Sequence, residues 1–139
     1  MKKLSLFITA ALLVSVFANR TIAQESDGPS ILVFSQNMVK MSDMGKVQKM
    51  MDSLFVPILN SMVDEGKINA WGQLNHAWGD EWNFNLWYMA KDMSSFEKFW
   101  SEYVDRVRTK HPDAFGKVVS MFQAHKDNMY SIVHNYSGK

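Results

Sequence analysis

Three patterns predict an α+β domain built on a four-stranded antiparallel sheet. Residues 42–65 repeat apolar side chains at helical spacing, two aromatic-rich runs flank a turn signal near residue 80, and a second helical pattern follows from residue 94. The chain has 139 residues, 47% hydrophobic and 13% aromatic, which suffices for one domain with a true core. With 21% charged residues and no cysteine, it is neither a disordered tail, a coiled-coil rod nor a disulfide-stapled miniprotein. A formal net charge of +1 argues against a nucleic-acid binder, which must neutralise many phosphates.

Residues 1–23 read as a secretory signal peptide. Lys2 and Lys3 precede an apolar run at 4–18, and Thr21-Ile22-Ala23 offers a small-x-small cleavage site. That run of 15 residues falls short of the ~20 that span a bilayer. With no cysteine behind it, a lipid anchor is excluded as well. The expected product starts at Gln24, is periplasmic or secreted, and has no membrane association after cleavage. Losing Lys2, Lys3 and Arg20 lowers the basic residues from 15 to 12 against 14 acids, a formal charge of −2. Without cysteine there is no thiolate nucleophile, no Cys-held metal and no disulfide.

Residues 24–139 are expected to form a single domain. After a polar lead-in at 24–29, residues 30–40 (SILVFSQNMVK) are rich in β-formers and predict a first strand. In the helix over 42–65, Val47, Met51, Leu54, Ile58 and Met62 form an apolar stripe, widened by Met50, Phe55 and Leu59. Gly66 supplies its left-handed stop, and Pro57 should kink or split it. Strands at 68–78 and 82–90 flank Gly79-Asp80-Glu81 and predict a hairpin. Ser94 and Glu97 have capping-box form and open a helix bearing Phe96, Phe99, Trp100, Tyr103, Val104 and Val107. His111-Pro112-Asp113 ends that helix and starts a shorter one, and residues 128–136 (NMYSIVHNY) predict the last strand. The order β-α-β-β-α-(α)-β is the split βαβ arrangement of the ferredoxin-like fold, which carries its helices on one face of the sheet.

Strand alternation places Trp71 with Asn69, Gln73 and Asn75, and Trp87 with Asn83, Asn85 and Met89. The expectation is one conventional core face and one face that mixes tryptophan with carboxamides and needs a ligand or partner to cover it. In residues 71–78 and 83–100, above all the run WYMAKDMSSFEKFW, the chain resembles the dimeric α/β-barrel superfamily. The branch it resembles holds antibiotic-biosynthesis monooxygenases, haem-degrading monooxygenases and NIPSNAP-like proteins. The resemblance implies a homodimer closed sheet to sheet and a cavity for an aromatic molecule or a haem, lined by Asn, Trp, Tyr and His.

Residues of those types here are Asn37, Trp71 and Trp87 as ligand contacts, and His76 and His111 as catalytic candidates, with His134 beside them. The expected function is binding of a small apolar or aromatic ligand. The alternatives are a cofactor-independent or haem-type monooxygenase, and an interaction protein whose tryptophans only seal the dimer. No motif calls for a cofactor, and haem enters only through the resemblance. The histidines lack HxH, HxxH or HxxxH spacing, so no metal site is expected. Neither a Gly-x-Ser-x-Gly elbow nor a glycine-rich phosphate loop occurs. His125 is expected at the surface, and Arg106, Arg108 and Lys110 as a solvated helix end.

Overall fold

The computed structural model describes residues 29–76, 78 and 81–134; residues 1–28, with the expected signal peptide and the polar lead-in, Ala77, Gly79-Asp80 and residues 135–139 lie outside the described residues. Strand β1 (Ile31–Val39) leads into helix α1 (Met41–Met50). One π-helical turn, Met51–Phe55, then joins α1 to α2 (Val56–Asp64). That turn is how the helix accommodates Pro57. The ring has no N–H to give and would clash with the carbonyl of Ser53, so the ladder widens just ahead of it and resumes with Pro57 in the first turn of α2. The expected stripe is buried on both sides of the π turn: Val47, Met51, Phe55, Ile58, Leu59 and Met62 all lie in the core. Gly66 adopts a φ of 71°, the left-handed stop the sequence predicts.

Strands β2 (Ala70–Asn75) and β3 (Phe84–Ala90) form the hairpin, antiparallel and in register from Ala70 opposite Met89 to Asn75 opposite Phe84. Helix α3 (Met93–Lys110) starts earlier than the Ser94–Glu97 box implies. Its cap is Asp92, whose carboxylate accepts the Ser95 N–H at 2.7 Å and is held below the usual carboxylate range by that bond. A charged acceptor at the positive end of the helix dipole outcompetes a serine hydroxyl for the role. A short α4 (Ala114–Val119) follows, then β4 (Phe122–Ser131).

The sheet order is β2-β3-β1-β4, with every neighbour antiparallel and the helices on one face, the ferredoxin-like arrangement. The last strand corrects the sequence expectation. It begins at Phe122 rather than 128 and includes Lys126-Asp127-Asn128, a poor β sequence, while residues 132–134 are not strand. The outer edge of β1 decides this, because its N–H and C=O groups need partners from Ile31 to Val39 and β4 supplies them.

Between the layers, Phe99, Tyr103 and Val107 of α3 meet the α1–α2 stripe, Val33 and Val39 of β1, and Phe84 and Tyr88 of β3. Each such side chain contributes roughly 1.5–3 kcal/mol on burial. The helices are also clasped at their ends. Arg106, expected as solvated, donates from Nη1 to Glu65 Oε1 at 2.7 Å and also bonds Glu102, which Lys67 reaches at 3.0 Å. Among the described residues, no helix is long and apolar enough to cross a membrane.

Candidate functional site

Cross-strand partners share a face, so the register sorts the side chains. Ile31, Val33, Ser35 and Asn37 of β1 lie opposite Ala90, Tyr88, Leu86 and Phe84 of β3, beneath the helices. On β4 the same face carries His125, Asp127 and Met129. The helical layer does not extend over this last strand: its residues are mostly exposed, and its extensive packing is with β1 alone. The shortfall leaves a cleft of about 160 Å³ between α3, α4 and the β1–β4 edge. It borders a second hollow of about 290 Å³, sharing Ser35, Tyr88, Trp100 and Asp127 with it.

The walls are aromatic. Trp100 of α3, about 41% exposed, meets Tyr88 edge-on with centroids 5.9 Å apart, and Tyr103 meets Phe115 of α4 edge-on at 5.9 Å. Phe84 and Phe122 meet at 6.2 Å on the sheet side. Such pairs rigidify a wall as well as burying area. Burial pushes the Tyr88 phenol well up, with the Asp127 carboxylate adding to it, and burial does the same to Tyr103. Both phenols therefore stay protonated and neutral.

The polar groups are few and converge. Asn37 is the buried polar residue of the described chain, 1% exposed. Its Oδ1 lies 2.8 Å from His125 Nδ1, and His125 Nε2 lies 3.1 Å from Asp127 Oδ2. The three form a chain from the cleft floor to solvent across two adjacent strands. An apolar-walled cavity with a short line of polar groups at one end is the form of a small-molecule site.

The structure does not bring the sequence candidates together. Asn37 lines the cleft. Trp71 lies on the helix-covered face but at the far edge, where its indole N–H donates to Asn60 Oδ1 at 3.0 Å. Its companion carboxamides face the same helices: Gln73 donates to Gln48 Oε1 at 2.6 Å, and Asn75 donates to the same oxygen at 3.0 Å. This corrects the expected grouping of Trp71 with Trp87. Trp71 lies opposite Tyr88 on the covered face, whereas Trp87 lies opposite Gly72 on the bare face. There the Trp87 ring covers the Gly72 backbone so closely that a Cβ at residue 72 would be 2.4 Å from it.

Neither catalytic candidate lines the cleft. His76 is in the hairpin loop, its N–H bonded to Asn83 O at 3.1 Å, and His111 closes the C-terminal end of α3. His125, exposed as expected, is the histidine that lines it, and Ser35, Tyr88, Trp100, Tyr103 and Asp127 are further lining residues that the sequence did not single out. The available signal was the i, i+2 spacing of His125 and Asp127, informative only once β4 is placed from residue 122. The residues present do not fit a haem. His111 lies elsewhere, and both ring nitrogens of His125 are already engaged by Asn37 and Asp127.

No family model matches the sequence, and no curated relative matches it. Solved structures do match in shape. A dimeric ferredoxin-like protein from an uncultured marine organism superposes with a TM-score of 0.66 at 11% identity, over 84% of this chain and 99% of that one. A NIPSNAP family protein from Agrobacterium tumefaciens gives 0.58 at 8% identity, over 72% and 90% of the two chains. An antibiotic biosynthesis monooxygenase-like protein from Nitrosomonas europaea gives 0.56 at 13% identity, over 75% and 99%. The chain thus has the ferredoxin-like fold found in dimeric ferredoxin-like, NIPSNAP and monooxygenase-like proteins.

Proposed function

We propose that this protein is an exported homodimer that binds a small, flat, mostly apolar molecule in the cleft between α3 and the β1–β4 edge. The observation that carries the reading is a buried asparagine, Asn37, at the floor of a largely apolar, aromatic-rich cavity of about 160 Å³. The bare face of the sheet supports the dimer. Leu32, Phe34, Trp87 and Met89 are only half-buried there with no helix above them, and Tyr130 is about 51% exposed. An apolar face of this kind is stable when a second copy covers it. The dimeric state of the marine ferredoxin-like protein points the same way.

Native mass spectrometry of the full chain, exported from a bacterial host, tests the three parts together. The expected species is a dimer whose subunits begin at Gln24 and which carries additional small-molecule mass. A bare monomer would overturn the dimer, a bare protein that also fails to take up flat aromatic probes would overturn the cleft, and an uncut N-terminus would overturn export.

A second reading is a cofactor-independent monooxygenase acting in the same cleft, favoured by the shape match to the monooxygenase-like protein and by the Asn37–His125–Asp127 chain. Oxygen uptake with a quinol, lost in His125→Ala, would establish it, and no uptake above the uncatalysed rate would exclude it for that substrate class.

A further inference from the structure

Where the cleft meets the outer hollow of about 290 Å³, a carboxylate stands among aromatic rings. Tyr88, Trp100 and Asp127 line both spaces, and the outer one adds Phe96 and Met129. Phe96 and Trp100 stack with centroids 6.1 Å apart, and Tyr88 meets them at 6.5 and 5.9 Å. Asp127 is at the open side, its side chain 57% exposed. Its charge nonetheless reaches inward: after burial, the larger cause, the Asp127 carboxylate is what pushes the Tyr88 phenol up. His125 Nε2 lies 3.1 Å from Asp127 Oδ2, but a carboxylate accepts at both oxygens, and one such contact does not saturate it. Fixed positive charge is kept away. Among the described residues lining either hollow there is no lysine or arginine. Lys126, next in sequence, pairs in register with Gln36 on the bare face, where its ammonium lies 4.1 Å from the centre of the Trp82 ring.

We propose that the outer hollow is a cation site, and that the molecule bound here is a flat, mostly apolar body carrying one aliphatic ammonium group. The body occupies the inner cleft, and the ammonium sits beside Asp127 against the rings of Trp100 and Phe96. Carboxylate and aromatic quadrupoles attract an organic cation together, and the same carboxylate repels an anion. Continuity of the two spaces through Tyr88, Trp100 and Asp127 lets one molecule reach both. The pairing is open to water on one side, so charge adds a modest and salt-sensitive share of the affinity while the apolar walls supply the rest.

This inference rests on the cleft being the ligand site, and the test separates the two. The full chain, exported from a bacterial host, is titrated calorimetrically at neutral pH with 2-aminoindane, indane and indane-2-carboxylate. The three share one flat skeleton and differ in charge. The amine should bind about tenfold more tightly than indane, and the carboxylate more weakly than indane. High salt should narrow the first ratio. Asp127→Asn should bring the amine within about threefold of indane and at the same time strengthen binding of the carboxylate, a gain that a damaged site would not give. Phe96→Leu should cut the amine's advantage by about twofold. Equal affinities for amine and indane in the unaltered protein, or a tenfold preference retained in Asp127→Asn, would overturn the cation site and leave the cleft intact. Failure of all three probes to bind would overturn the ligand site together with it.

Discussion

The two edges of the sheet start from similar side chains and reach opposite ends. At the β2 edge, Trp71, Gln73 and Asn75 meet Asn60 and Gln48 of the overlying helices and are tied down pairwise at 2.6–3.0 Å. At the β4 edge, His125 and Asp127 meet no helix, and their line of contacts ends inside a cavity at Asn37. An aromatic or amide side chain on a strand becomes part of a site only where the second layer stops short. Where that layer continues, the same chemistry is spent on holding the helix in place.

The comparison breaks most completely at Phe84, fully buried, paired in register with Asn75 toward one edge and Asn37 toward the other. Phe84→Ala should cost about 3–5 kcal/mol in urea denaturation and let the cleft admit bulkier rings, the latter read by binding of probes too large for the unaltered protein.

The bare face forms a third environment, sharpened by Gly72→Ala. The new methyl would fall on the Trp87 ring, 2.4 Å away where contact begins near 3.4 Å, so the indole must swing out. Overpacking of this kind costs about 1–3 kcal/mol. It should weaken self-association in analytical ultracentrifugation without altering the uptake of flat aromatic probes. Unchanged association would separate Trp87 from the dimer contact.

The edges themselves are distinguished by a pair of tryptophan variants. Trp71→Phe leaves Asn60 without its donor and should lower stability by about 1 kcal/mol with ligand affinity unchanged. Trp100→Ala removes a cleft wall and should lower ligand affinity severalfold. Equal effects of both on binding would mean that the two edges are coupled, against the comparison.

The smallest expected effect is electrostatic. The Arg106 guanidinium beside Glu65, aided by the Ser61 hydroxyl, holds the Glu65 carboxyl down to about 2. A carboxyl depressed in the folded state contributes its stabilisation fully above its unfolded value and loses it as pH falls through the folded one. Urea midpoints should therefore decline between about pH 4.5 and 2, and Glu65→Gln should decline less over that window. The pair is open to solvent, so the difference should shrink in high salt.

Most of the fold was legible because it rests on periodicity. The 42–65 stripe, the glycine stop at 66, the hairpin and the aromatic helix all follow from local spacing that no neighbour can override cheaply. The site was legible only at Asn37. Trp71 and Trp87 were grouped by residue type, and pairing put them on opposite faces. His125 is at the surface as expected, but its place beside Asn37 follows only from the pairing of β4 with β1.

The sequence by itself determined the order of elements, the amphipathic helices, the break at Pro57 and a chemistry free of thiols, because these depend on residues a few positions apart. Only the tertiary structure decided where the last strand begins, which faces share a register, and that the helices end before β4. Those outcomes depend on hydrogen-bond partners and packing volumes contributed by distant strands, as where Ile31 pairs with Ser131, and local spacing carries no record of them.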